Sequence, residues 1–174
     1  MAIEIEDGSG KADSNSYVTV VEARAYSTAR GVALSDNDAV VESMLMLAMD
    51  YLEAQRGRYQ GHKTHPGVQA LQWPRAGVIL DCQYRLPDDV IPVELKRAQM
   101  QAVIEVAAGL VLMPSSDGRV VKREKVDVIE TEYMTGKDMG DTATLGPAFP
   151  ALDALLEPLF EPCGGGFFLK TVRV

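Results

Sequence analysis

Two histidines and two cysteines are the residues of this sequence best suited to catalysis or metal binding. His62 and His65 lie three residues apart, whereas Cys82 and Cys163 lie far from them and from each other. A zinc site needs further ligands at a defined spacing, and a cysteine nucleophile needs a base partner. Neither can be assigned, and the short phosphate-binding, metalloprotease and hydrolase motifs do not occur. We therefore predict that the protein is not an enzyme and has no catalytic, cofactor or metal site.

The charge of the chain is unevenly distributed. The 174 residues carry a net charge of −8, yet the segment 54–80 contains no Asp or Glu and carries Arg56, Arg58, Lys63 and Arg75. Two interpretations stay open for this basic segment. It is either an ordinary solvated loop or a surface that complements an acidic partner, such as the acidic remainder of an identical subunit. The overall negative charge disfavours DNA binding, because a DNA-binding face neutralises phosphates with basic groups.

Trp73 is the only tryptophan and lies at the centre of the long, turn-rich segment 57–89. Loops of this length usually carry function or wrap a neighbour. The ring could serve as a stacking platform for a single-stranded base or as a hot spot of a protein interface. It could also anchor the loop to the helices as a buried side chain, and we favour this buried anchor.

The two ends of the chain are predicted to lie outside its main domain. Residues 1–16 are rich in Gly, Ser and Asp and predict a flexible arm that only a partner orders. Gly164, Gly165 and Gly166 form a hinge, so residues 162–174 should be a hinged tail whose last eight residues are mainly apolar. That tail either adds a strand to the chain's own sheet or inserts into another protein.

Local signals predict the first two helices. Thr19 and Glu22 have the spacing of a capping box, which predicts a helix over 20–30 that stops at Gly31. Ser35 and Asp36 offer the N-cap of a second helix, over 36–56, whose apolar residues recur at helical spacing.

Two further helices and a strand follow. Pro92 favours the first position of a third helix, over 92–113, which should be the longest and central one. A β-rich run over 120–133 changes the sign of its charges along its length, which suits antiparallel contact. A short helix with a leucine stripe is predicted over 150–160.

These elements predict a mainly α fold, a helical bundle with a long central helix, a small β element and extended termini. Residues 17–161 should form the helical domain, with the β element near 120–133. No stretch approaches the roughly 20 apolar residues that a membrane span requires, so no membrane partner is predicted.

Several segments together form a recognisable series, at 12–18, 45–56, 59–61, 69–75, 91–92, 121–126 and 154–159. The most specific is the run around Trp73-Pro74-Arg75. The series resembles a family of phage and prophage proteins labelled DnaT-like single-stranded-DNA-binding proteins, and the resemblance covers about residues 12–174. That family in turn looks like the head–tail connector proteins of tailed phages, whose helical subunits form a twelve-fold ring beneath the portal.

The two resemblances imply different functions. A sequence-independent single-strand binder needs a basic groove with several aromatic residues, whereas a connector must let double-stranded DNA slide through a channel that does not hold it. An acidic channel repels phosphates, and the chain is acidic overall. We therefore predict a virion structural protein, a head–tail connector (adaptor) subunit, with single-stranded-DNA binding in phage replication as the alternative.

The connector prediction also names partners, location and interface. The partners would be further copies of the chain, the portal protein, a downstream neck or tail protein, and double-stranded DNA passing without sequence-specific contact. The location would be the virion neck, reached from the host cytoplasm during assembly. The interface should use basic and apolar residues of the loop, the strand and the tail: Arg56, Arg58, Lys63, Trp73, Arg75, Lys122, Arg123, Phe167, Phe168 and Leu169.

Overall fold

The computed structural model describes residues 3–113 and 149–160, and the backbone alone of 120–125 and 130–134. The described residues divide into two compact units, one made of 3–112 with 149–160 and the other lying within 113–148. They form a mixed α/β structure with four α-helices and small antiparallel strand pairs, so the predicted mainly α bundle is correct only in part. No helix among these residues is both long and apolar enough to cross a membrane.

The first helix begins as its capping box predicts. Helix α1 spans Val20–Thr28. The backbone N–H of Glu22 donates to the Thr19 hydroxyl (3.1 Å), and the Glu22 carboxylate accepts from the Thr19 backbone N–H (2.7 Å). Two otherwise unpaired groups at the helix start are thereby satisfied. The helix ends two residues earlier than predicted, and Gly31 follows with a φ of +74°.

The second helix starts later than predicted. Helix α2 spans Asp38–Ala54, and its N-cap is Asn37, whose side-chain oxygen accepts from the backbone N–H of Ala39 (3.0 Å). The Ser35 hydroxyl instead accepts from the backbone N–H of Asn37 (3.2 Å), so it stabilises the turn before the helix. A one-turn 3₁₀ helix, Gln55–Gly57, continues from the end of α2.

The third helix is shorter than predicted, and α2 is the longest described helix. Helix α3 spans Val93–Ala107 with Pro92 as its N-cap. It ends because Gly109 adopts a φ of +85° and donates its N–H to the Val106 carbonyl (2.9 Å), while the Leu110 N–H reaches the Glu105 carbonyl (3.1 Å). These two bonds form a Schellman motif, which terminates a helix six residues before the predicted end.

We expect Gly109→Ala to lower the free energy of unfolding by about 1 kcal/mol, because an L-residue is disfavoured in the left-handed region. A Cβ at Gly109 would have no atom within 4 Å, so the cost is conformational alone. Gly57 offers a matched control, since it is equally uncrowded and its φ is not left-handed. Gly57→Ala should be neutral or slightly stabilising. Equal losses for both variants in urea titrations followed by circular dichroism would contradict this account.

Helix α4, Pro150–Phe160, matches its predicted bounds. Its buried face consists of Leu152, Leu156 and Leu159, and the helix packs on α3, which also contacts α1 and α2. The core of this unit is aliphatic and aromatic and includes Leu45, Leu95, Trp73 and Tyr17 among its fully buried side chains.

The N-terminal residues fold onto the chain itself, which corrects the prediction of a flexible arm for 1–16 as far as residues 3–16 are described. The Glu6 side chain has no exposed surface. Its carboxylate accepts hydrogen bonds from the backbone N–H groups of Gly8 and Gly10 (both 2.9 Å) and Lys11 (2.8 Å). Hydrogen bonds to an ionised acceptor are stronger than neutral ones, so this buried carboxylate orders the turn without a partner.

Gln99 of α3 fixes the next part of the chain. Its side-chain oxygen accepts from the backbone N–H of Tyr17 (3.0 Å), and its amide nitrogen donates to the Ser16 hydroxyl (2.8 Å). Both groups are buried, so each needs such a partner. The N-terminal residues are thus joined to the helical core by paired polar groups.

The segment 57–89, expected to lack regular structure, contains two small hairpins. Strand β1 (His62–Lys63) pairs antiparallel with β2 (Arg75–Ala76), and β3 (Ile79–Leu80) pairs with β4 (Tyr84–Arg85). The turn of the second hairpin holds Asp81 and Cys82 at φ values of 50° and 60°. The Gln83 backbone N–H donates to the Leu80 carbonyl (3.2 Å), so Asp81 and Cys82 are the central residues of a tight turn with positive φ at both positions, as in type I′ turns.

The β-strand or hairpin element predicted near 120–133 consists of two strands. Strand β5 (Val120–Lys125) pairs antiparallel with β6 (Glu130–Met134). The register places Lys125 opposite Glu130 and Arg123 opposite Glu132. The change of charge along the sequence therefore corresponds to pairing within the chain, where opposite charges on facing residues are favourable.

Candidate functional site

The basic segment 54–80 begins at the end of α2 and includes the 3₁₀ turn and strands β1, β2 and β3. It is held to α4 through Gln60. The Gln60 backbone N–H donates to the Leu159 carbonyl of α4 (2.9 Å), and the Gln60 side chain donates to the Pro158 carbonyl (3.0 Å). These bonds satisfy carbonyls at the C-terminal end of α4 that lack helical partners. The segment is therefore fixed by the helices on which it lies.

Trp73 is fully buried and does not form part of an exposed interface. Its ring meets the Tyr59 ring edge to face, with 5.7 Å between centroids, and its backbone N–H donates to the Tyr17 hydroxyl (3.1 Å). The relative exposure of Trp73 is 0%, so the ring cannot stack on a DNA base or on a partner. The geometry fits the buried anchor, and the predicted interface role of Trp73 is corrected. The peptide bond to Pro74 is cis.

Arg75 is also an internal residue, which corrects its predicted interface role. The side chain is buried (7% exposed). Its guanidinium donates to the carbonyls of Gln60 (2.6 Å) and Gly61 (2.7 Å), and it also contacts the Gln72 side-chain oxygen (3.3 Å). A planar guanidinium can serve several acceptors at once. Arg75 therefore joins strand β2 to the turn between α2 and β1, and burial lowers the pKa of its guanidinium.

Glu53 is a partly buried carboxylate beneath the same loop, and the charge pattern gave no sign of it. It accepts from the backbone N–H of Gln72 (2.9 Å) and, more weakly, from the Tyr17 hydroxyl (3.4 Å). Burial raises the pKa of Glu53 in spite of the hydrogen bonds from Gln72, which lower it. Glu53 lies one residue after the apolar stripe of α2. This position predicts burial only weakly, because the sequence does not show which loop covers that part of the helix.

The remaining basic residues of the segment lie at the surface. Arg56 and Arg58 are exposed, as are His62 and His65, and Lys63 is half-buried. The Lys63 ammonium lies 3.4 Å from the carbonyls of Gln69 and Ala70. The segment therefore presents two arginines to solvent and uses Lys63 mainly to bridge its own backbone.

Arg58 also borders a cleft. Its guanidinium lies 4.0 Å from the centroid of the Phe160 ring, a cation–π contact. Both residues line an open cleft of about 770 Å³ together with Pro150, Asp153, Ala154 and Glu157. The two carboxylates of Asp153 and Glu157 make this cleft unfavourable for phosphate.

The other predicted interface residues are not brought into this site by the described structure. Lys122 and Arg123 lie on β5, for which the backbone alone is described. Phe167, Phe168 and Leu169 lie outside the described residues. Within residues 3–113 and 149–160, no group of three or more His, Cys, Asp and Glu side chains could hold a metal ion.

The fold and the site define a mixed α/β protein with exposed arginines on a carboxylate-free segment of an otherwise acidic chain. The chain belongs to the family described as "Putative DnaT-like ssDNA binding protein", whose model matches residues 1–174. No curated protein and no solved structure matches the chain.

This family membership contradicts the prediction of a head–tail connector. The family is described by DNA binding, and nothing in the comparisons supports a virion ring, a portal or neck partner, or passive passage of double-stranded DNA. The error came from weighing the net charge of −8 against DNA binding. Net charge describes the whole chain, whereas a binding face is set by the charges that are exposed together.

Proposed function

We propose that the protein binds single-stranded DNA without catalysis, and that the exposed part of the basic segment contacts the DNA backbone. The observation that carries the proposal is that Arg56 and Arg58 are exposed on the segment 54–80, which itself contains no Asp or Glu, although Asp153 and Glu157 of α4 line the cleft beside Arg58. Membership of a family described by single-stranded-DNA binding supports it. Arginine is well suited to this role because its guanidinium pairs with phosphate oxygens.

A surface of this kind makes the affinity depend on salt. Each phosphate that a cationic side chain neutralises releases a counterion, so the logarithm of the binding constant falls linearly with the logarithm of salt concentration. The chain's overall negative charge should partly offset this dependence, because salt also screens its long-range repulsion of the strand. The affinity for single-stranded DNA should therefore be highest at low salt. It should be modest even there, because the protein is acidic overall.

The test is fluorescence anisotropy of a labelled oligo-dT titrated with protein at several salt concentrations. We expect Arg56→Ala/Arg58→Ala to weaken binding and to reduce the salt slope by about 1–2, since each lost phosphate contact removes about 0.7–1. Arg30→Ala/Arg97→Ala is the matched control, because both of these arginines are exposed, lie outside the segment and remove the same charge.

Two results would overturn the proposal. One is a wild-type protein that does not bind oligo-dT at low salt. The other is an equal loss of affinity in the two double variants, because the arginines would then act only through net charge.

A further inference from the structure

The hairpin of β3 and β4 projects from a rigid base. The Leu86 backbone N–H donates to the Val78 carbonyl (3.0 Å), and both of these residues are buried. The Ile79 backbone N–H donates to the Gln60 side-chain oxygen (3.3 Å). Residues 81–85 are all exposed. The base of the hairpin is therefore fixed while its tip faces solvent.

The tip carries an exposed aromatic ring. Tyr84 is 56% exposed and is the only mainly exposed aromatic residue among those whose side chains the structure describes. The other tyrosines of that part of the chain are buried or half-buried. Strand register places Tyr84 opposite Leu80, which packs against the core, so the two side chains share one face of the hairpin, and Tyr84 nevertheless remains mainly exposed. An aromatic ring that contributes little to the core is available to a ligand with a flat apolar face.

The hairpin begins within the basic segment, because β3 is its last part. Gly61 packs closely on the strand that leads into the hairpin, since a Cβ there would lie 2.1 Å from the Ala76 carbonyl oxygen. His62 pairs with Ala76, three residues before Ile79. Gln60, which holds Ile79, follows Arg58 by two residues. Gln60 thus joins the base of the hairpin to the turn that carries Arg58.

Charge does not explain how this hairpin would hold DNA. Arg85 is exposed, but Asp88 lies 4.0 Å from its guanidinium and Asp81 occupies the turn. With one arginine against these two aspartates and Asp89, the local charge is net negative. Stacking of an aromatic ring on a nucleobase needs no net charge and tolerates any base, because every base has a flat π face.

We propose that Tyr84 is a base-stacking residue that takes one nucleobase of a bound single strand, beside the phosphate contacts of the basic segment. This inference rests on the proposed function and adds to it a contact with the bases. In this proposal, two elements of the structure contribute different interactions with the DNA. The basic segment provides salt-dependent attraction, and the hairpin provides a contact that does not depend on salt.

The test compares Tyr84→Leu with Tyr84→Phe in binding to oligo-dT and to an abasic oligonucleotide of equal length. Tyr84→Leu should bind oligo-dT about tenfold more weakly, with an unchanged salt slope, as expected for loss of one stacked base. Tyr84→Phe should bind like wild type because stacking does not use the hydroxyl. On the abasic strand the leucine variant and wild type should bind equally.

Ile79→Ala is the matched control, because Ile79 is an exposed side chain of the same hairpin. It should leave the affinity for oligo-dT unchanged. Circular dichroism would verify that every variant keeps the wild-type fold. A second readout uses Tyr84→Trp, whose added exposed indole should be quenched by oligo-dT and not by the abasic strand.

The outcomes separate this inference from the proposed function. If Tyr84→Leu binds oligo-dT like wild type while Arg56→Ala/Arg58→Ala loses affinity, the stacking role is wrong and DNA binding stands. An equal loss on the abasic strand would also overturn stacking, because no base would then be involved. If wild type binds neither oligonucleotide, both proposals fail.

Discussion

Trp73→Ala is expected to lower the free energy of unfolding by about 3–5 kcal/mol, the range for truncating a large buried aromatic side chain. The ring is fully buried against Tyr59, and its removal would leave a cavity between the loop and the helices. Far-UV circular dichroism in a urea titration measures the change, because this variant retains no tryptophan for fluorescence. A loss below about 1 kcal/mol, typical of a surface substitution, would show that the ring does not anchor the loop.

Trp73→Phe separates the anchor from a DNA-stacking role. It keeps an aromatic contact with Tyr59 and removes the indole N–H, which has no hydrogen-bond partner within the described part of the chain. We expect a smaller loss of stability, about 1–2 kcal/mol, and wild-type affinity for oligo-dT. A stable Trp73→Phe protein with greatly weakened DNA binding would contradict the buried position.

Arg75→Ala is expected to destabilise the fold by about 3 kcal/mol, because buried acceptors that lose a charged donor cost about 1–3 kcal/mol each. The carbonyls of Gln60 and Gly61 would both lose the guanidinium that they contact at 2.6 and 2.7 Å. Arg75→Lys should recover only part of this loss, because a single ammonium cannot reproduce the planar fork. Urea unfolding followed by circular dichroism again gives the measurement.

Arg56→Ala is the control for Arg75, since it removes the same charge from an exposed position in the same segment. Its effect on stability should stay within about 0.5 kcal/mol, while its effect on DNA affinity should exceed that of a folded Arg75→Lys. If Arg56→Ala and Arg75→Ala were equally destabilising, the distinction between the surface and internal arginines of this segment would be wrong.

The sequence predicted the features that depend on neighbouring residues. The capping box of Thr19 and Glu22 and the leucine stripe of α4 are local patterns, and both appear at their predicted positions. The sequence pattern predicts that α3 continues to residue 113, although Gly109 marks its end at Ala107. In a run of small apolar residues, a glycine can lie inside a helix and allow close packing, or it can end the helix. Only the Schellman bonds show that Gly109 ends the helix.

The site was less predictable from the sequence because the role of each residue depends on whether its side chain is buried. Arg56, Arg58 and Arg75 look alike in sequence, yet only Arg75 is enclosed by the carbonyls of a turn fifteen residues earlier. Tyr84 does not stand out in the sequence, since an exposed and a buried tyrosine have the same letter and the composition of its segment predicts an irregular loop. Long-range contacts determine these differences, and no local pattern encodes them.

The attachment of α4 to Gln60 has a consequence for synthesis on the ribosome. The side chain of Gln60 bonds a residue 98 positions later, and the α4 leucines complete a core that the first 112 residues begin. At about 5–20 residues per second, the ribosome needs about 2–10 s to extend from the end of that first part to the end of α4. Until α4 is made, the apolar side of α3 that α4 later covers has no partner helix. Exposed apolar surface favours aggregation, so we expect steady elongation through 113–148 to favour the yield of folded protein.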